Sequence, residues 1–338
     1  MREKNRQWIL KSRPQGRVER ANFEWREEPV PPIGDGQFLV RNLWLSCDPT
    51  QRPWTQFDTY IPAVPLGEVM YSVSAGEVVK SRHADFKPGD RVAGAWGWQD
   101  YALTDGSGLV PATKVPAGVD FPTALSLLGI TGLTAYFGLL DLAAPKAGDV
   151  VVVSAAAGST GSFVAQIAKL KGCRVIGIAG GEEKCTFLTK DLGLDGAIDH
   201  RRKDVSARLR ELCPNGIDVF FDNVGGDMLD AALGNLAAGA RIVVCGAISG
   251  YNDLTQMPPI RNYLNLVLAG ATMRGFLVFS FAPRFGEAIS QLASWAAAGQ
   301  IRTRVDIIEG LDRAPEALRR LFTGENIGKQ LVKLADAP

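Results

Sequence analysis

The stretch that decides the fold runs from Val151 to Lys184 and reads VVVSAAAGSTGSFVAQIAKLKGCRVIGIAGGEEK. It opens within Val150–Val153, a β-branched run without polar alternation, as expected of a strand buried on both faces of a parallel sheet. An amphipathic helix follows, with Phe163, Val164, Ile167, Ala168 and Leu170 as its apolar stripe and Gly172 at its end. RVIGIAG then reads as the next strand. Between strand and helix, AAAGSTG has the spacing A-x-x-G-x-x-G. Gly158 and Gly161 therefore permit a tight turn and close approach of backbone N–H groups to an anion at the helix N-terminus. Alone, such a turn also serves packing. Flanked by a strand, a helix and a second strand, it predicts a dinucleotide pyrophosphate site. No Gly-Lys-Ser/Thr follows, so it is not a Walker loop.

The chain has 338 residues, with 37 Lys and Arg against 36 Asp and Glu. That length suits about two domains. The balanced charge offers no footprint for nucleic acid or an anionic membrane, so the expected partner is a small molecule. No apolar run approaches the roughly 18 residues of a membrane span, and MREKNRQW lacks the apolar segment of a leader, which predicts a cytoplasmic protein. Cys47, Cys173, Cys185, Cys213 and Cys245 are scattered, and only His83 and His200 are present, so neither a disulfide framework nor a histidine-rich metal site is expected.

From about Val150 to Arg304, strand-like VVVVSA, RVIGIAG, GAIDH, IDVFFDNV, RIVVCGAIS and TMRGFLVF alternate with helical SFVAQIAKLK, EEKCTFLTKDL, DVSARLRELC and MLDAALGNLAA. This is the pattern of a doubly wound α/β sheet. Before it, RQWILKS, GQFLVRNLWLSCD, VPLGEVMYSVSAGEVVKS, GDRVAGAWGWQDYALT and GLVPAT read as short strands of an irregular β domain. The tail GKQLVKLA is strand-like again and able to return to that first domain.

From about Trp8 to Leu334, the ordered motifs LSCDPTQR, GEVMYSVSAGEVV, GDRVAGAWGWQDYA, GITGLTAYFGLLD, AAAGSTG, FFDNVGG, CGAISGYN, MRGFLV and NIGK resemble the medium-chain dehydrogenase/reductase superfamily. The resemblance is to its zinc-free branch of NADPH-dependent alkenal and prostaglandin-type double-bond reductases. It implies a GroES-like β domain over residues 1–127 and 305–338, a Rossmann domain over 128–304 with strand order 3-2-1-4-5-6, NADPH in the cleft between them, and a homodimer. Zinc members carry Gly-His-Glu and a four-cysteine loop. This chain has LGEV at Leu66–Val69 and GWQDYALTDGSG instead, so no metal is expected.

The same resemblance implies a cofactor set. Gly158, Ser159, Thr160 and Gly161 would hold the pyrophosphate. Asn223, the run Cys245, Gly246, Ala247, Ile248 through Tyr251, and Phe276, Leu277 and Val278 would surround the nicotinamide, with Asn326 reaching in from the other domain. The side chains of Phe276, Leu277 and Val278 have a second reading as strand core. At the end of the second strand, Gly180 and Gly181 replace the acid that accepts adenosine ribose hydroxyls, and Lys184 matches the family's 2′-phosphate lysine. With Glu182 and Glu183 beside it, Lys184 also reads as a charge-balanced helix start. His200 stands where the family often has tyrosine, and Arg201 and Arg202 are further anion partners. Thr50 replaces the pocket tyrosine of Asp-Pro-Tyr-Met-Arg, with Trp54, Phe57 and Tyr60 nearby.

The implied activity is reduction of the carbon–carbon double bond of α,β-unsaturated ketones or aldehydes, with Tyr263 as the hydroxyl donor to the enolate and Tyr251 as its rival. Quinone reduction and non-catalytic NADPH binding are the competing expectations.

Overall fold

The computed structural model describes residues 4–336. In chain order, the first seven strands are β1 (Lys4–Leu10), β2 (Phe23–Pro29), β3 (Phe38–Ser46), β4 (Val73–Ser81), β5 (Arg91–Ala95), β6 (Tyr101–Thr104) and β7 (Thr113–Lys114). There follow β8 (Val150–Val153), β9 (Arg174–Ala179), β10 (Gly196–Asp199), β11 (Ile217–Asp222), β12 (Leu236–Val244) and β13 (Thr272–Gly275), and then β14 (Val305–Glu309) and β15 (Lys329–Lys333). Two compact units result. One takes the residues up to Leu125 and from Val305 onward, the other Ser126–Arg304.

In the second unit the sheet order is β10-β9-β8-β11-β12-β13, parallel throughout. This is the 3-2-1-4-5-6 arrangement, with the chain reversing direction of travel between β8 and β11. The β-branched runs form central strands because both faces are covered. Val152, Ile176, Ile178, Ile198, Phe220 and Ile242 share one core with Leu209, Leu229 and Leu233 from the helices Val205–Leu212 and Gly226–Leu233. Each such fully buried side chain contributes about 1.5–3 kcal/mol. The helix Val205–Leu212 starts where Asp204 accepts the Ala207 N–H at 3.0 Å.

Two segments differ from the sequence expectation. TMRGFLVF is a strand only over Thr272–Gly275. Phe281 stacks on Phe137 at 4.7 Å, and Val278–Arg284 coils into a 3₁₀ helix. MLDAALGNLAA ends its helix at Leu233, and Leu236 pairs with Ile217 as the start of β12. Gly234 and Asn235 interrupt the helical run between them.

In the first unit, one sheet has the order β14-β15-β3-β4-β5-β7, with β6 also pairing β3. The tail strand β15 lies between β14, to which it is parallel, and β3, to which it is antiparallel. A separate antiparallel pair, β1 and β2, sets Trp8 opposite Trp25. The charged strand β2, FEWREEP, has no alternating apolar signal and was not expected from the sequence.

Candidate functional site

The carboxyl ends of the parallel strands carry most of the residues singled out above. At the end of β8 the chain turns through Ala155, whose φ of 47° lies in the left-handed region, and Gly158 becomes the N-cap of the helix Ser159–Leu170. Gly158 offers no side chain to that helix end, so first-turn N–H groups face outward for an anion. At Gly161 a Cβ would lie 2.4 Å from the Ala155 carbonyl oxygen, so the third residue of the motif must be glycine for the helix to sit this close to the turn. The Ser159 hydroxyl donates to Thr131 Oγ1 at 2.9 Å, which ties the turn to the helix Ile130–Phe137. Gly161→Ala is expected to force this backbone apart, lowering stability by about 1–3 kcal/mol. Thermal unfolding together with NADPH titration checks this. Unchanged values for both would show that the close approach is dispensable.

The next corner joins the ends of β9 and β10. A Cβ on Gly180 would fall 2.8 Å from His200 Nε2 and 2.9 Å from Arg201 Nε. The imidazole and the guanidinium therefore lie over the backbone at Gly180. Gly181 has φ of 95° and leads into the short helix Glu182–Thr186, which carries Lys184. The imidazole of His200 is pulled below its ordinary value of 6.5, first by loss of solvent along the edge packed here and then by the positive charges of Arg201 and Lys184. Glu182 pairs with Arg202 at 3.5 Å. Asp199, overlooked in the sequence, accepts the Gly181 N–H at 2.8 Å and the Arg201 N–H at 3.0 Å. The backbone donors hold its carboxyl below the usual range, and the carboxylate fixes the corner.

At the reversal point, Asp222 ends β11 fully buried. Ser154 donates its hydroxyl to it at 2.8 Å, and Val224 and Gly225 donate backbone N–H groups at 3.0 Å. Burial raises its pKa against these bonds. Asn223 completes the clasp, donating its N–H to Ser154 Oγ and its side-chain amide to the Ser154 carbonyl, each at 2.8 Å. The Asn223 amide is thus committed to joining β8 to β11.

After β12, the loop from Cys245 to Tyr251 is shaped by its own donors. Cys245 and Gly246 donate N–H groups to the Asp222 carbonyl at 2.8 and 3.2 Å, and Ile248 donates to the Asn223 carbonyl at 3.3 Å. Burial pushes the Cys245 thiol up to about 12, so it stays protonated. The Ala247 N–H donates to the Tyr251 hydroxyl at 3.2 Å, and burial raises that phenol as well. Tyr251 therefore braces the loop. Beyond β13 the three FLV residues part company. Phe276 packs beside Gly138, where a Cβ would meet its ring at 2.7 Å, Leu277 is 47% exposed, and Val278 is buried.

Tyr263 is 64% exposed and sits in a 3₁₀ turn, Asn262–Leu264. In the first unit, buried Asn326 donates its amide to the Gly328 carbonyl at 3.0 Å, within the turn that precedes β15. Lys329, 2% exposed, donates to Asp48 and to the Cys47 carbonyl, and Ser46 donates to Asp48. Burial pushes the Cys47 thiol up to about 12. Thr50 Oγ1 lies 3.1 Å from the Tyr60 hydroxyl, and Trp54 packs edge-on to Tyr60 with centroids 6.1 Å apart. Among the described residues no group of three or more His, Cys, Asp or Glu side chains is placed to hold a metal ion.

Residues 6–112 match the family model for the N-terminal domain of oxidoreductase, and residues 159–294 the model for zinc-binding dehydrogenase. The NADPH-dependent curcumin reductase of Escherichia coli (strain K12) is 40% identical over 99% of this chain and 98% of its own length. Prostaglandin reductase 1 of Rattus norvegicus is 38% identical over 96% of this chain and 98% of its own length. This chain belongs to the medium-chain dehydrogenase/reductase superfamily, in the alkenal and prostaglandin reductase family. Within that family, CurA from Vibrio vulnificus in complex with NADPH superposes with a TM-score of 0.92 at 41% identity, covering 98% of this chain and 99% of that one.

Proposed function

We propose that this protein uses NADPH to reduce the carbon–carbon double bond of an α,β-unsaturated ketone or aldehyde. The observation that carries the cofactor assignment is the corner at Gly180, where His200 and Arg201 lie over the backbone beside the helix of Lys184. That arrangement suits a 2′-phosphate, with glycine rather than an acid at the end of β9 and the Asp199 carboxylate engaged by the Gly181 and Arg201 N–H groups. The glycine cradle at Gly158 and Gly161 suits the pyrophosphate, and two of the relatives named above, the curcumin reductase and CurA, are NADPH-dependent and NADPH-bound respectively.

NADPH supplies the hydride, delivered to the carbon β to the carbonyl. The chain's task is to orient the conjugated substrate and steady the negative charge that moves to the carbonyl oxygen, after which a proton added at the α-carbon completes the saturated product. Tyr263, exposed on the Rossmann unit, donates its hydroxyl to that oxygen, while Tyr251 holds the 245–251 loop. A hydroxyl donor suffices for this stabilisation, so the reaction needs no metal, and exhaustive chelation should leave turnover intact. Incubating the protein with NADPH and a panel of enones, enals and quinones tests the function. Alkene reduction is the expected result, whereas turnover of quinones alone, or cofactor binding without turnover, would overturn it.

Proton uptake should accompany NADPH binding, because a phosphate beside His200 favours the imidazolium. The free imidazole titrates below 6.5, and the bound phosphate raises it. NADPH affinity therefore falls as pH rises through the window between the two values. His200→Gln removes this dependence while keeping the phosphate's own titration, so titrations of both proteins across that range isolate it. Parallel pH profiles would exclude the histidine from the phosphate site.

The reading includes a homodimer. Strand β13 is the sheet's exposed edge, and Val267, Leu268, Met273 and Leu277 near it are exposed apolar residues. Light scattering should give twice the chain mass at micromolar concentration, and a monomer would contradict it. Free, mostly buried cysteines suit a reducing compartment and support a cytoplasmic location, which cell fractionation would check. Among the described residues no helix is long and apolar enough to cross a membrane.

A further inference from the structure

In the segment Arg261–Leu268, Tyr263, Leu264, Val267 and Leu268 are 64%, 56%, 74% and 75% exposed, while Asn262 and Asn265 are half-buried and Leu266 packs against the core. Leu266 is the one apolar side chain of the segment packed on that core, so within one chain the residues on either side of Tyr263 are held largely by hydrogen bonds. Most of them converge on one residue. Asp230, in the helix Gly226–Leu233, accepts the backbone N–H groups of Arg261 at 2.6 Å and Asn262 at 2.7 Å on the same carboxylate oxygen. Its other oxygen accepts the Asn262 side-chain amide at 3.1 Å, and its backbone carbonyl accepts that amide at 3.0 Å. Asn265 adds one bond, to the Leu233 carbonyl at 2.9 Å. The approach is close enough that a Cβ on Gly234 would lie 3.3 Å from Asn262 Nδ2.

We infer that Asp230 is a positioning residue for Tyr263. Its carboxylate clamps the two peptide N–H groups immediately before the tyrosine and so fixes a side chain that is itself mostly exposed. The inference rests on the proposed role of Tyr263 as the donor to the developing enolate. An ionised acceptor suits the task, since bonds to a charged group are about twice as strong as neutral ones. Without the clamp the exposed turn samples many conformations, and a donor displaced by about 1 Å loses most of its catalytic effect.

The test compares Asp230→Ala, Asp230→Asn, Tyr263→Phe and the double variant Asp230→Ala/Tyr263→Phe, using full-length protein, NADPH and an enone. Amide hydrogen exchange over residues 259–266 should speed up about tenfold or more in Asp230→Ala, with the core strands β8 and β11 unchanged. Turnover should fall about tenfold or more with NADPH affinity retained. Asp230→Asn, whose side-chain carbonyl still accepts the two peptide N–H groups, should recover part of both. In the Tyr263→Phe background the Asp230→Ala change should cost little further, because the group it positions is already gone. Unaltered exchange in Asp230→Ala would overturn the clamp. Faster exchange with unaltered turnover, while Tyr263→Phe is slow, would overturn the positioning role and spare the tyrosine. Additive losses in the double variant would assign Asp230 a general structural role instead. Unaltered turnover in Tyr263→Phe would remove the catalytic reading itself, and the positioning role with it, leaving the exchange result to report the clamp alone.

Discussion

Tyr263→Phe should lower single-turnover alkene reduction by about tenfold to a thousandfold, the scale of removing one donor to a developing oxyanion, and leave NADPH affinity unchanged. The split follows from where the hydroxyl lies. Tyr263 is exposed in a turn fastened to the helix Gly226–Leu233, whereas the proposed phosphate-binding glycines follow β8 and β9. Removing one oxygen alters the chemical step without touching the anion cradle. Tyr251→Phe is the informative companion. Its oxygen accepts the Ala247 N–H, so that variant should disturb the 245–251 loop and weaken cofactor binding before it affects chemistry. Unchanged turnover in Tyr263→Phe would end its assignment as donor, and a large chemical loss confined to Tyr251→Phe would transfer the role.

Lys184→Ala should weaken NADPH by about 1–3 kcal/mol, or about 5- to 150-fold, and leave NADH nearly as before. The expected selectivity has a geometric basis. Gly180 admits Arg201 and the His200 imidazole close to the strand end, and the Lys184 charge helps lower that imidazole's pKa, so two cations and a histidine that a phosphate would protonate gather at one corner. NADH brings no phosphate there and forfeits nothing when one is removed. Equal losses for both cofactors, measured by fluorescence titration, would contradict the phosphate assignment.

Much of the Rossmann unit was legible in the sequence because its strands are buried on both faces. Val150–Val153 announces itself by unbroken apolar character and Ile217–Asp222 by its Val219–Phe221 run, and the glycines between strand and helix mark the turn. The irregular unit was less legible. The strand β2 is built from FEWREEP, where charge hides the pattern, and its place is set by pairing with β1. In the site, residues with unusual backbone demands could be read, Gly161 and Gly180 above all. Ser154, Asp199, Asp222 and Asp230 were not, because an aspartate that accepts backbone N–H groups looks in sequence like any other turn aspartate. Their partners lie up to 69 positions away, and only the fold brings them together.

The most direct measurement of the central claim is mass spectrometry and NMR of the product formed from an α,β-unsaturated ketone by the protein and NADPH carrying deuterium at its hydride position. Saturated ketone with a single deuterium on the carbon β to the carbonyl is the predicted product. An allylic alcohol with deuterium on the carbonyl carbon, or unreacted enone alongside bound cofactor, would contradict it.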